Sequence, residues 1–411
     1  MATKDFSSED LPPAIKADFN LLLITLKRRQ LVGSAQCIKA TLEMLRSMLG
    51  RYNFSSTEHM LKTVRGIGRE LTAAAQTELT IGNLVRRILF LIREEYAHCV
   101  REAEVNLQQQ QRNRTTSKDL TKAVLDSKPT SVKRKDRSNS VTSNHSNPND
   151  EELLAAVNSA FPHDSSIGIL SSNNHDSEDY SRLFPELRGA VIKEINDINN
   201  EIDNYTVICS RAPDYVHAEE CILTYGYSRI VEQFLKAAGV KRRFQLIIAE
   251  AAPGLDGHKL AHSLSKSSPN ISITIIPDSN IYAIMARVNK VILSPHAVMA
   301  DGGAISPSGQ LMVATAAKEF LVPVVCVSGA FSLTPLFAHN QSLALQQLQS
   351  PSSAFPYNTD INFTNVEVIF PAFDHITPDL ISLYVTNDGS YLPSYMFRLL
   401  SEHYHPKDYN L

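Results

Sequence analysis

The chain has 411 residues, 43% of them hydrophobic and 20% charged, with 40 basic side chains against 43 acidic ones. That composition suits two or three hydrophobic cores rather than one. A formal charge of −3 argues against a general nucleic-acid or membrane-surface binder, and the longest clean apolar runs, such as Leu21–Ile24 and Leu246–Ala249, are far too short to span a bilayer. The opening Met-Ala-Thr-Lys-Asp has no basic-then-apolar leader, so a cytosolic chain is expected. Cys37, Cys99, Cys209, Cys221 and Cys326 are scattered, never in Cys-x-x-Cys spacing, and are expected to be reduced thiols.

Residues 1–106 read as an N-terminal helical domain. From Ile38 the apolar positions Ile38, Leu42, Leu45 and Leu49 follow a 3.6-residue period. Ile81, Leu84, Val85, Ile88, Ile92 and Tyr96 repeat it and leave Asn83, Arg86, Arg87 and Glu94 on the opposite face. At about Leu107 the composition changes: Gln108 to Gln111 precede a Ser/Thr/Asn/Lys/Arg mixture that includes Val132-Lys-Arg-Lys-Asp-Arg137. Residues 107–179 are expected to form a flexible low-complexity insertion, because so few apolar side chains cannot offset the entropy of ordering them. A transient helix is expected near Leu153–Val157. The basic run reads as a solvated linker, with nucleic-acid binding or a localisation signal as alternatives.

From 180 to 411 strands alternate with helices. A helix over Tyr180–Asn204 leads into apolar runs at Thr206–Cys209, Cys221–Thr224, Phe244–Ala249, Ile271–Ile276, Lys290–Leu293, Pro323–Val327 and Val366–Phe370. Helix-period stretches at Ser228–Ala238, His258–Ser265, Asn280–Val288 and Leu311–Phe320 lie between them. The alternation predicts right-handed βαβ crossovers and a parallel sheet covered on both faces. The expected fold class is therefore α/β: a helical domain followed by a doubly wound, Rossmann-like parallel-sheet domain.

Ligands of such sheets sit beyond the carboxyl ends of the strands, which directs attention to Tyr225, Gly226, Glu250–Pro253, Asp278, Ser294–His296 and Asp301–Gly303. Glu250, Asp278, Asp301 and His296 at one rim would make an acid–base site, but they serve equally well as turn and helix caps. Phosphate signatures are weak: there is no G-x-x-x-x-G-K-[ST], and Gly66-Ile-Gly68 lacks a third glycine and lies in the helical region. His258 and His262 have the i, i+4 spacing of metal ligands without a third ligand nearby, so no metal is expected. No G-x-S-x-G elbow is present, and no cysteine stands just after a strand as an exposed nucleophile.

Lys290-Val-Ile-Leu293, Ala300-Asp-Gly-Gly-Ala304 and Glu250-Ala-Ala-Pro253 with Gly257 resemble the regulatory-subunit family of the guanine-nucleotide exchange factor for translation initiation factor 2. That family shares its fold with sugar-phosphate isomerases acting on methylthioribose 1-phosphate and ribose 1,5-bisphosphate. Two longer stretches, Glu78–Tyr96 and Pro378–Asn387 continuing into Pro393–Pro406, are similar to the beta branch of the family. The resemblance covers about 15–106 and 180–411.

In the isomerases a cysteine follows the strand that ends here at Tyr225, where this chain has Gly226. Their essential aspartate follows the strand ending at Leu293, where His296 stands, and their phosphate-holding Glu-Thr-Arg-Pro is Glu250-Ala251-Ala252-Pro253. Neither glycine nor alanine can stand in for a thiol or a guanidinium fork. The resemblance thus implies a vestigial pocket of Gly226, Glu250, Asp278, His296 and Asp301, with no catalysis and no cofactor. It also implies assembly with alpha, gamma, delta and epsilon subunits, exchange being carried out by epsilon. This chain would help bind the alpha subunit of initiation factor 2 and sense its phosphorylation. Asn83, Arg86 and Arg87 are the expected partner-binding residues, a solvated helix face being the alternative. Ile381–Leu400 is expected to pack either on a sister subunit or within its own domain. A sugar-phosphate-sensing or isomerase-like protein is the competing reading.

Overall fold

The computed structural model describes residues 12–31, 33–125, 180, 182, 184–203, 205–337, 347–355 and 366–411, with backbone alone for 106–125. The chain divides into two compact units, Met1–Cys99 with Ser181–Leu411, and Val100–Tyr180. Four helices open the first unit: α1 (Pro13–Lys27), α2 (Ser34–Arg51), α3 (Thr57–Ala74) and α4 (Leu79–Leu125), the last continuing into the second unit. Pro13 starts α1, and the Ser56 hydroxyl caps α3 by accepting from His59 N at 3.1 Å. Every residue of both periodic apolar series is buried. Gly68 has a packing reason rather than a nucleotide-binding one, since a Cβ there would fall 2.5 Å from Val85 Cγ1. The composition break at Leu107 does not end α4, whose backbone stays helical to Leu125; Gln, Lys and Arg are fair helix formers. The helix expected near Leu153–Val157 and the basic run lie outside the described residues.

After α5 (Pro185–Asp203) the strand expected at Thr206–Cys209 is a helical turn instead, Thr206–Ser210, with a second turn at Ala212–Tyr215. Short β-branched runs do not distinguish strand from helix by periodicity. The second correction concerns Val366–Phe370, which forms no strand. Pro371 has no N–H to give to a ladder; it makes only an isolated bridge with Leu348, and the strand itself begins at Phe373. The helix expected over Asn280–Val288 is broken into a 3₁₀ turn (Asp278–Asn280), a helical turn (Ile281–Ile284) and another 3₁₀ turn (Met285–Arg287).

The remaining elements follow the expected alternation: β1 (Cys221–Tyr225), α6 (Arg229–Lys241), β2 (Phe244–Ala249), α7 (Asp256–Ser267), β3 (Ile271–Ile276), β4 (Lys290–Leu293), β5 (Ala297–Val298), β6 (Ala304–Pro307), α8 (Gln310–Glu319), β7 (Val324–Val327), β8 (Phe373–Ile376), β9 (Leu383–Val385), β10 (Ser390–Tyr391) and α9 (Met396–His403). The main sheet has the order β10-β9-β7-β4-β1-β2-β3, parallel except for β10. The order reverses between β1 and β4, the switch point where such sheets bind ligands. A second, antiparallel sheet runs β5-β6-β8.

Side chains alternate across the main sheet. Leu223, Tyr225, Ile247 and Val291 enter a core with α8 and α9, while Ile222, Leu246, Ile248 and Ile292 enter one with α6 and α7. Burial on both faces accounts for the unbroken apolar runs of β1 and β4. At one edge β3 pairs with β2 alone, and its Ile275 is 41% exposed.

Candidate functional site

The rim at the switch point is built from strand ends. Gly226 takes φ +66° after β1 and donates its N–H to Ala249 O at 3.2 Å. A Cβ on Gly257, at the start of α7, would run into the backbone of Ala249 and Glu250, so glycine lets the helix sit directly on the end of β2. Asp278 accepts from the N–H groups of Ala251 (3.0 Å) and Ala252 (2.8 Å), which makes it the anchor of the loop after β2. Glu250 lies 3.6 Å from His258 Nε2 across the start of α7. His262 is exposed, and no group of three or more metal-holding side chains occurs among the described residues.

Sequence reasoning missed a further carboxylate. Asp374 on β8 accepts from Gly309 N at 2.6 Å and Leu311 N at 3.4 Å, occupying the N-terminus of α8. Free N–H groups and the helix dipole make such a terminus a natural place for phosphate. Tyr225 covers the same turn: its hydroxyl lies where a Cβ on Gly309 would be, and Gly309 holds φ +100°. Burial, then the charges of Asp278 and Asp374, push the Tyr225 hydroxyl well above its ordinary pKa. Asp374 escaped notice because the strand carrying it was expected several residues earlier.

The five residues expected in one pocket do not meet. Gly226, Glu250 and Asp278 share the loops after β1, β2 and β3. Asp301 accepts from Gly303 N at 2.8 Å, closing its own turn. His296 turns toward the helical arm, where its Nδ1 is 3.2 Å from Ser34 Oγ, its Nε2 3.8 Å from Glu78 Oε2, and its ring stacks on Phe373 at 4.6 Å. Burial lowers the imidazole pKa to about 4 and raises that of the Glu78 carboxyl. The uncharged imidazole spares the site a buried cation, while its Nε2 has no hydrogen-bond partner among the described residues. The cysteines likewise sit as inert thiols, with burial pushing Cys37 and Cys209 to about 11 and Cys326 to about 12.

On the polar face of α4 Glu94 is exposed, but Asn83 and Arg86 are buried and Arg87 is half-buried, so these three do not form a solvated face. Asn83 is fully buried and donates to Phe331 O at 3.5 Å, and Arg86 Nε donates to Tyr409 O at 3.0 Å. Arg87 Nη1 reaches His403 Nδ1 at 2.6 Å and His403 O at 3.3 Å. Farther along the seam, Asp408 is fully buried between Arg65 on α3 and Arg93 on α4; Arg93 Nε is 2.8 Å away. Burial pushes the Asp408 carboxyl up, but hydrogen bonds from Arg93 and Arg65 outweigh it and leave the pKa below the usual carboxylate value. The seam thus joins the two stretches, Glu78–Tyr96 and Pro378–Pro406, that set the chain apart within the resemblance. The tail buries Tyr384, Met396, Leu399 and Leu400 in its own domain but leaves Leu392 and Phe397 exposed, with Phe337 beside Phe397.

Known proteins extend these observations. The chain matches the model of the initiation factor 2 subunit family over residues 30–393. It is 36% identical over 389 residues to translation initiation factor eIF2B subunit beta of Dictyostelium discoideum, covering 94% of this chain and 95% of that one. The subunit of the same name from Schizosaccharomyces pombe is 32% identical over 400 residues, with 94% and 95% covered. The crystal structure of eIF2B beta from Chaetomium thermophilum superposes with a TM-score of 0.64 at 24% identity, over 98% of this chain and 96% of that one. The tetrameric eIF2B-beta2-delta2 complex from C. thermophilum gives 0.62 at 24% identity, over 98% and 99%; these two likenesses show the fold. By the family match and the two subunit relatives together, the chain belongs to the initiation factor 2 subunit family.

Proposed function

We propose that the chain is a non-catalytic regulatory subunit, of the beta kind, in the guanine-nucleotide exchange factor for translation initiation factor 2. The carrying observation is the 36% identity over 94% of the chain to a beta subunit. In this reading it assembles in the cytosol with alpha, gamma, delta and epsilon subunits. It helps bind the alpha subunit of initiation factor 2 and responds to its phosphorylation, while epsilon performs the exchange. The division into 1–106, 107–179 and 180–411 gives it a recognition arm, an insertion and an assembly domain. Leu392, Phe397 and Phe337 form an exposed apolar patch suited to a sister subunit.

The rim supports the non-catalytic reading. Gly226 and Ala252 offer neither thiol nor phosphate fork, and His296 is buried and neutral. Asp374 already fills the α8 N-terminus, and with Glu250 and Asp278 it makes the rim acidic, which opposes a sugar phosphate. Arg86 and Arg87 contribute to partner binding indirectly, by holding the tail against the arm, and Asn83 by holding the arm to the turn after β7.

Affinity capture of the tagged full chain from cells, with native mass determination, tests this. Recovery with four distinct subunits and initiation factor 2 is expected. A lone homo-oligomer that turns over a sugar phosphate would overturn it.

A further inference from the structure

A chain of polar contacts crosses the seam through one side chain. Arg87 on α4 donates to His403 Nδ1 at 2.6 Å. A guanidinium only donates, so Nδ1 must be the bare nitrogen and the ring hydrogen must sit on Nε2. There Asp388 Oδ2 accepts it at 3.1 Å. The hydrogen bond from His403 is the largest of the influences that hold the Asp388 carboxyl below the usual range despite its burial. The carbonyl of Asp388 in turn accepts from Arg211 at 3.0 Å, in the turns that follow α5. The same short loop meets Glu201 of α5 through Asn387, and Tyr215 through Ser390. Helices α4 and α5 are therefore fastened to one tail loop, and α4 reaches it through His403.

We propose that His403 is a positioning residue: a rigid ring, bonded to Arg87 on one side and to Asp388 on the other, that pins α4 to the tail and fixes the angle at which the helical arm is presented to its partner. This rests on the reading of the arm as a recognition surface. The pin works by having one acceptor and one donor on opposite sides of a rigid ring. A cation at this position would face Arg87 with like charge and no ring acceptor, and alanine would take the ring from both Arg87 and Asp388, leaving Arg87 only the carbonyl of residue 403. An asparagine side chain can place its carbonyl oxygen where Nδ1 stands and restore the bond to Arg87, though not the reach to Asp388.

The test uses the assembled complex captured through the tagged chain, carrying wild type, His403→Ala, His403→Lys or His403→Asn. Amide hydrogen exchange is measured along the chain, alongside native mass and affinity for the alpha subunit of initiation factor 2. In the Ala and Lys variants exchange is expected to quicken about tenfold in 57–105 and 185–215, with β1, β2 and β4 unchanged. Mass should stay the same, affinity should fall several-fold, and Asn should recover part of both losses. Wild-type exchange in the Ala and Lys variants overturns the pin, as does an increase spread evenly over the sheet or a failure of Asn to rescue. If the wild-type chain captures no sister subunit, the subunit reading fails, and exchange measured on the chain as isolated still decides whether His403 pins α4.

Discussion

The rim of the sheet and the arm–tail seam are both rich in charge, but they use it in opposite ways. At the rim, carboxylates turn inward onto backbone N–H groups: Asp278 on Ala251 and Ala252, Asp374 on Gly309 and Leu311. A region that in this kind of fold holds an anionic ligand is filled by the chain's own acids, so its geometry survives without a vacancy for phosphate. At the seam, arginines on two arm helices converge on Asp408, His403 and carbonyls of the tail, and the charge serves to join two parts of the chain. The difference teaches that charge here serves two structural ends: at the strand ends it caps backbone, and at the seam it joins parts of the chain far apart in sequence.

Three perturbations separate the regions. Asp408→Ala leaves Arg65 and Arg93 facing each other across a buried gap. It should cost about 3 kcal/mol, the lower end for a broken buried pair because Arg65 is partly exposed. Chemical denaturation reads this directly, and a loss below about 0.5 kcal/mol would mean the seam holds by apolar contact alone. At the rim, Gly309→Ala combines a left-handed backbone with overlap of the Tyr225 hydroxyl, for a loss of about 2–3 kcal/mol. Repeating it in a Tyr225→Ala background should remove the overlap and leave only the backbone part; an unchanged loss would show that the tyrosine moves aside freely.

The third perturbation is acid. His296 has a pKa of about 4 when folded against an ordinary 6.5, so the unfolded chain takes up that proton first. Its contribution is fully present above pH 6.5 and is lost as pH falls toward 4. Glu78 acts in the other direction, because its raised pKa gives stability at low pH that is lost as pH rises. With the two opposed, His296→Phe should flatten the fall in stability between pH 6.5 and 4 by about 2 kcal/mol. Thermal melts across that range would reveal a slope identical to wild type if some other group governs acid sensitivity.

Periodicity carried most of the fold. β2, β3 and β4 lie where apolar runs bounded by turn residues predicted them, and the arm's heptad-like spacing named its buried face residue by residue. What failed was local ambiguity: Thr206–Cys209 is β-branched yet folds as a helical turn, and Val366–Phe370 is apolar yet stops short of Pro371. Less of the site was legible. Spacing after strands led to Asp278, which anchors the loop after β2, but it could not show that His296 turns to the arm. Nor could it pair Asp408 with arginines more than 300 positions earlier, since nothing local marks such a contact. The only available hint was that Arg65, Arg86, Arg87 and Arg93 exceed what the acids on their own helices can match.

The open side of β3 bears on how the protein must be made. Ile271-Ser-Ile-Thr-Ile-Ile276 is an uncharged strand with no second neighbour among the described residues, and its Ile275 is partly bare. Such a border templates the addition of another strand. A chain left with that border open is therefore expected to precipitate at lower concentration than the Ile275→Lys variant, as turbidity on concentration would show.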